Sequence, residues 1–409
     1  MIEAIKIIYD QSNIKEMYFW SELLNLTGIF TYEITQKQVR SFKNRNSLDY
    51  SAIFILTTNM NQEDIKYLQK IYPEAILIDG EIIKNIKSLN IKTEEEKELW
   101  KKYLNKWLNN LKEKLFDPVA TETSINALKN IGNIYIKYNI AFHRISSINF
   151  TDYQELDIQK TAQDYFVKAY IDLINQKQEG YIYLYTLAHL GRYMNDTCVL
   201  LNHNQLIKDE KIMNFLNSVL KQEPGYFSAY LLKAITSENS MSHLYQREAI
   251  GYYYMMERML EGREYAYKPL YYYARYLKKQ EQNEESALEY YDKAQRLNLT
   301  EYKSLCYIGK YFMKKKKYGQ AEVILEEAKK IILSKEKYML PLDYEYYKAI
   351  YLGLEFLYGS AESFCNLDKY EDLDKEKKEL QKNCSYNKGC NEIFGKEEKK
   401  KILERIRYL

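Results

Sequence analysis

The first ninety residues alternate short apolar runs with amphipathic stretches. "AIKIIYD" (4–10), "SAIFILTTN" (51–59) and "EAILIDG" (74–80) hold short, mainly apolar runs that end in polar residues. Such runs suit strands buried on both faces, as in a parallel sheet. Between them, "NIKEMYFWSELLNLTG" (13–28) and "NQEDIKYLQKIYP" (61–73) carry helical spacing and close at Gly28 and Pro73. "IFTYEIT" (29–35) is a candidate fourth strand. The alternation predicts a small doubly wound α/β domain over residues 1–90.

A long amphipathic helix is predicted next, over 91–117. Thr93 can cap it, Glu94 to Glu96 complement its dipole, and Asp117-Pro118 stops it. Trp100, Leu104, Trp107, Leu108, Leu111 and Leu115 share one face, so this connecting helix is packed rather than free. From 118 to 360 the pattern is helix after helix with no convincing strand. Residues 361–409 are expected to be a charged, cysteine-containing tail with a terminal helix.

The helical part repeats itself. Ala287, Tyr291 and Ala294 recur thirty-four residues later as Ala321, Leu325 and Ala328. Leu305, Ile308, Gly309 and Phe312 precede the second set. Small residues beside large ones are what two closely approaching helices require. Upstream, Leu128, Ile131, Gly132 and Tyr135, then Ala162, Phe166 and Ala169, follow the same scheme less regularly. So do Pro224, Tyr230 and Ala234, with Lys233 at a normally apolar position, and Ala249, Tyr253 and Met256. These residues resemble the tetratricopeptide repeat, a helix–turn–helix unit. The expected fold is therefore mostly α: a tetratricopeptide-like α-solenoid preceded by a small α/β domain. The resemblance implies a concave face lined by the first helix of each pair, and protein or peptide binding.

Composition changes this picture at one point, tyrosine. The chain of 409 residues holds 43 of them, and "GYYYMMERMLEGREYAYKPLYYYARYLKK" (251–279) is the densest stretch. Tyrosine is a middling helix former, so propensity is not the reason. Consecutive side chains fan out by about 100° on a helix, so the Tyr252–Tyr254 and Tyr271–Tyr273 runs cannot all enter the core. About two-thirds are expected to pack and the rest to line a surface. The net charge of +3 argues against nucleic-acid coating. No apolar run is long enough for a membrane span, and five cysteines without a signal segment suggest the cytoplasm.

Candidate chemistry follows. Ligands of an α/β domain bind at the carboxyl ends of the strands, here marked by Asp10, Thr58 and Asp79. The module weakly resembles a response-regulator receiver or a nucleotide-binding half-domain. Thr57 or Thr58 stands where a receiver has its phosphoacceptor aspartate, and neither GxGxxG nor GxxxxGK[ST] is present. A structural or docking edge is therefore expected rather than a catalytic one. His143, His189, His203 and His243 lack metal-ligand spacing, and His189 with Arg192 reads as a helix edge. Cys365, Cys384 and Cys390 are weak metal candidates, because CSYNKGC is wider than a zinc knuckle; no metal and no cofactor are expected.

Carried onto the tetratricopeptide scheme, the groove would comprise Lys129, Asn133 and Lys137, then Tyr272 and Tyr276, then Lys303, Cys306, Lys310 and Lys314. Lys129 with Asn133 resembles half of a clamp for a peptide carboxylate, whereas Ser228 and Leu232 stand where the other half would be. The expected function is a non-catalytic adaptor holding a protein or an extended acidic peptide, with no nucleic-acid or membrane partner. Two alternatives remain. One is an accessory subunit or enzyme of peptide modification, glycosyl or nucleotide chemistry, with the α/β module binding the donor. The other is a peptide-responsive regulator.

Overall fold

The apolar runs of the amino-terminal region pair as four parallel strands in the order β2-β1-β3-β4: β1 (Ala4–Tyr9), β2 (Phe30–Thr35), β3 (Ala52–Leu56) and β4 (Ile76–Ile78). In register, Ile7 of β1 lies between Glu33 and Phe54. Every residue of β1 is buried, including Lys6, whose ammonium pairs with Glu264 at 3.3 Å, so the strand reads as an apolar run broken only by that lysine rather than as an alternating one. The chain is described here from a computed structural model. It covers residues 4–41, 52–84, 91, 93–114, 118–140, 153–200, 207–240, 242–280, 283–333, 341–359, 369, 371–373 and 375. Two compact units result, residues 1–265 and 266–409.

In the first unit, α1 (Ile14–Leu26), α2 (Gln36–Ser41) and α3 (Gln62–Ile71) accompany the sheet. The helix predicted after the module is α4 (Glu94–Lys114). Thr93 Oγ1 accepts from the Glu96 backbone while Glu96 Oε2 accepts from the Thr93 backbone, a reciprocal capping box. Its stripe of Trp100, Leu104, Trp107, Leu108 and Leu111 is buried, and Leu115 lies outside the described residues. Aromatic side chains knit α1 to this helix. Trp20 of α1 packs edge-on against Phe54 of the sheet and donates its indole N–H to Tyr103, while Phe19 stacks on Trp100.

Helices follow in succession: α5 (Pro118–Lys137), α6 (Tyr153–Asn175), α7 (Tyr181–Leu200), α8 (Asp209–Gln222), α9 (Phe227–Glu238) and α10 (His243–Met259). Neighbours pack in pairs, as in a solenoid. Gly132 of α5 lets Leu104 of α4 approach so closely that a Cβ there would overlap it. The turn after α1 docks onto these helices. Gly28 has φ +86°, Tyr226 donates to the Thr27 carbonyl, and Ser228 donates to the Gly28 carbonyl. A Cβ at Gly28 would also lie 2.8 Å from Tyr185 and from the Tyr226 hydroxyl. Both conformation and space demand glycine there.

The second unit contains α11 (Tyr267–Gln280), α12 (Glu284–Leu297), α13 (Tyr302–Lys314), α14 (Tyr318–Leu333) and α15 (Pro341–Gly359), again packed neighbour on neighbour. The thirty-four-residue spacing is visible in the packing. Ala287, Tyr291 and Ala294 of α12 are buried, and so are Ala321, Leu325 and Ala328 of α14. Leu325 occupies the space that side chains at Gly309 of α13 and Gly353 of α15 would fill. The fold is thus mostly α, with a small parallel sheet at its amino-terminal end. Among the described residues no helix is long and apolar enough to cross a membrane.

This packing carries a prediction. An alanine Cβ at position 309 would lie 2.6 Å from Leu325 Cδ2 and 2.8 Å from Cγ. Gly309→Ala gains about 1 kcal/mol of helix propensity but overpacks a filled contact, at roughly 1–3 kcal/mol. Net destabilisation in urea is expected, partly relieved by adding Leu325→Val. Ala321→Leu, at a fully buried site in the same cluster, should likewise lower the urea midpoint. Unchanged midpoints would contradict the helix register.

Candidate functional site

The carboxyl edge of the sheet is held by its own side chains. Asp10 follows β1 and accepts from the backbone N–H and hydroxyl of Ser12 and from Gln36. Thr58, after β3, donates to Glu16 Oε1 at 3.1 Å and accepts from the Gly80 backbone. Asp79, after β4, accepts from the Glu81 backbone at 3.0 Å, its carbonyl takes the Trp107 indole N–H, and Lys106 lies 3.6 Å from its carboxylate. The structure therefore brings Asp10, Thr58 and Asp79 to one edge, as the sequence implies, and occupies them within the protein.

At this edge the sequence reading missed Glu16. It sits on α1 within an apolar helical pattern, is 4% exposed, and abuts Gly80 so closely that a Cβ there would overlap its carboxyl. Burial raises its pKa to about 7; Thr58 and Tyr103 oppose the shift by bonding to it, and the Asp79 charge adds to it.

The residues expected to line a groove divide between the two units. On α5, Lys129 is half-buried and the Asn133 side-chain oxygen is buried without a partner among the described residues. Lys137 donates to Asp172 at 2.8 Å, a carboxylate that also takes the Tyr138 hydroxyl at 2.6 Å. That contact raises the lysine's pKa and lowers the aspartate's. Ser228 and Leu232, in the register of the clamp's other half, are both buried.

In the second unit Lys303, Tyr307, Lys310 and Lys314 of α13 recur at i, i+4, i+7 and i+11, which puts them on one face. Tyr307 is their centre. Its ring stacks on Tyr291 (4.8 Å, 12°) and lies 6.3 and 6.4 Å from Tyr271 and Tyr346. The Lys278 and Lys310 ammonium groups stand 4.8 and 5.9 Å from its centroid, and Lys303 stands 5.8 Å from that of Tyr346. The Tyr271 and Tyr346 hydroxyls are 2.8 Å apart. Lys314 is paired with Glu284 at 2.6 Å. Among the described residues, no carboxylate lies within ion-pair distance of Lys278, Lys303 or Lys310.

Burial first, and then the neighbouring charge of Lys310, push the Lys278 pKa below its usual value; Glu284 opposes this and Lys314 adds to it. Burial and surrounding phenols hold Tyr271 and Tyr346 well above the ordinary phenol range.

Two expected groove residues are corrected. Tyr276 is buried, not a wall residue. It lies about 40° round the helix from Tyr272, towards Tyr273 and Leu277 on the packed flank. Cys306 is also buried, a free thiol in the core. From α11 the phenol cluster is reached instead by the buried Tyr271 and the half-buried Lys278, two turns apart. That i, i+7 spacing was the available signal.

Arg192 pairs with Asp196, His189 Nδ1 lies 3.3 Å from the Leu26 carbonyl, and His243 lies beside Gln246. His143, His203, Cys365, Cys384 and Cys390 lie outside the described residues. Among the described residues no cluster of three or more His, Cys, Asp or Glu side chains is arranged to hold a metal. Comparison with protein-family models, curated proteins and solved structures finds no match to this chain.

Glu16 gives a pH prediction with a definite sign. Below its unfolded pKa of 4.5 both states carry the proton and burial costs nothing. As pH rises towards 7 only the unfolded state readily ionises, so stability is lost across that window. Glu16→Gln, whose amide oxygen can still accept from Thr58, should be more stable than the parent above pH 7, by about 3 kcal/mol. The difference should vanish near pH 4. Equal urea midpoints for the two proteins at pH 8 would show that the carboxyl is not held in this way.

Proposed function

We propose that this protein is a non-catalytic adaptor, a tetratricopeptide-like helical scaffold that holds an extended acidic peptide. The observation that carries the reading is the α11–α13–α15 face. Three ammonium groups there, Lys278, Lys303 and Lys310, lie over phenol rings with no carboxylate in ion-pair range among the described residues. A phenol face attracts a cation by about 0.5–2 kcal/mol, depending on desolvation, but does not neutralise it. Positive charge is therefore held in place and left to meet an anion.

Several features support the scaffold part of the proposal. Helix pairs recur at thirty-four residues, a glycine admits Leu325 at their contact, and the face lies on the first helix of successive pairs. The rival reading, donor chemistry at the sheet edge, draws no comparable support. Asp10, Thr58 and Asp79 are each engaged by neighbours within the protein.

The test uses a fluorescein-labelled decaglutamate peptide and fluorescence anisotropy. Lys303 and Lys310 are half-exposed, so Lys303→Glu/Lys310→Glu should leave the circular dichroism melt unchanged. The same variant should bind at least about tenfold more weakly, near 1.4 kcal/mol. Added salt should weaken the parent complex as well. Equal affinity of parent and variant would overturn the proposal.

A further inference from the structure

The same face has a focus. Lys278 and Lys310 flank a single ring, Tyr307, from two different helices, and Lys303 stands over Tyr346 beside it. Three phenol hydroxyls converge there too. Tyr271 and Tyr346 share a hydrogen bond of 2.8 Å, and the Tyr307 hydroxyl interacts with that of Tyr346. In such a bonded pair one hydroxyl keeps a proton to donate elsewhere. The focus thus combines two ammonium groups at one ring, a third at the neighbouring ring, and phenolic O–H groups at the edge of the core.

We infer that this focus recognises a phosphoryl dianion carried on the acidic peptide, such as a phosphoserine, rather than a run of carboxylates alone. The inference rests on the acidic-peptide reading above and narrows it. The two ammonium groups that meet at Tyr307, with Lys303 at the neighbouring ring, outmatch a single carboxylate. A phosphoryl group brings nearly two charges and three acceptor oxygens to one point, which suits both the lysines and the hydroxyls. A decaglutamate segment spreads its charge along the groove instead.

A second property of the focus points the same way. Lys278 is held below its usual pKa by burial and then by Lys310, a repulsion that Glu284 offsets only in part in the free protein. Seating a dianion between the two relieves it and raises the Lys278 pKa. Binding at alkaline pH then takes up a proton.

The experiment compares three probes by calorimetry. They are a ten-residue acidic peptide with a central phosphoserine, the same peptide with glutamate at that position, and inorganic phosphate. The phosphopeptide is expected to bind about tenfold tighter than its glutamate twin. At alkaline pH, in two buffers of different ionisation enthalpy, it should show the larger proton uptake. Lys278→Met should abolish both the preference and the uptake while the glutamate peptide still binds, and Lys310→Met reports the same loss of preference from a different helix. Equal affinity for the two peptides would overturn the phosphoryl assignment and leave the acidic-peptide reading standing. Binding of neither peptide would overturn both. Inorganic phosphate binding as tightly as the phosphopeptide would overturn the peptide as the carrier.

Discussion

The phenol–lysine face depends on how closely α13, α14 and α15 approach one another around Leu325. Its side chain lies where Cβ atoms at Gly309 and Gly353 would be, so both flanking helices come in to backbone distance. That approach sets the spacing between Tyr307 on α13 and Tyr346 on α15, and hence where Lys303 and Lys310 are held. A larger residue at either glycine would push the helices apart before it touched any tyrosine. Packing at the back of the unit thus fixes the chemistry at its front.

Tyrosine does two jobs in this arrangement, which accounts for its abundance. Within 251–279, Tyr253, Tyr265, Tyr267, Tyr271, Tyr273 and Tyr276 are buried, Tyr252 and Tyr272 are half-buried and Tyr254 is exposed. Buried rings fill the helix contacts, while half-buried rings such as Tyr307 offer one face to the core and one to lysine. A phenol is suited to that boundary because its body is apolar and its tip is polar. Leucine would pack equally well and would leave the ammonium groups without a seat.

Much of this was legible in the sequence, and the exceptions have physical causes. The strands were readable because a sheet buried on both faces needs continuous apolar runs, and α4 because its cap and stripe are local. The repeat could be seen because close helix contacts restrict residue size at fixed intervals. Tyr276 was misplaced because, in a helix apolar around most of its circumference, a rotation of about 40° separates wall from core. Tyr346 was invisible as a site residue, since only tertiary packing brings α15 to α11 and α13. Glu16 was hidden for a similar reason: nothing local says that Gly80 leaves room for its carboxyl.

The central claim is that Lys278, Lys303 and Lys310 form one anion-receiving surface rather than three unrelated solvated side chains. Lysine footprinting tests it most directly. The whole protein would be acetylated briefly, with and without saturating acidic peptide, and each lysine's modification read by mass spectrometry. The account predicts that Lys278, Lys303 and Lys310 are protected together, while Lys315, Lys316 and Lys317, exposed just beyond the end of α13, keep their reactivity. Protection spread evenly over all exposed lysines, or confined to others, would contradict it.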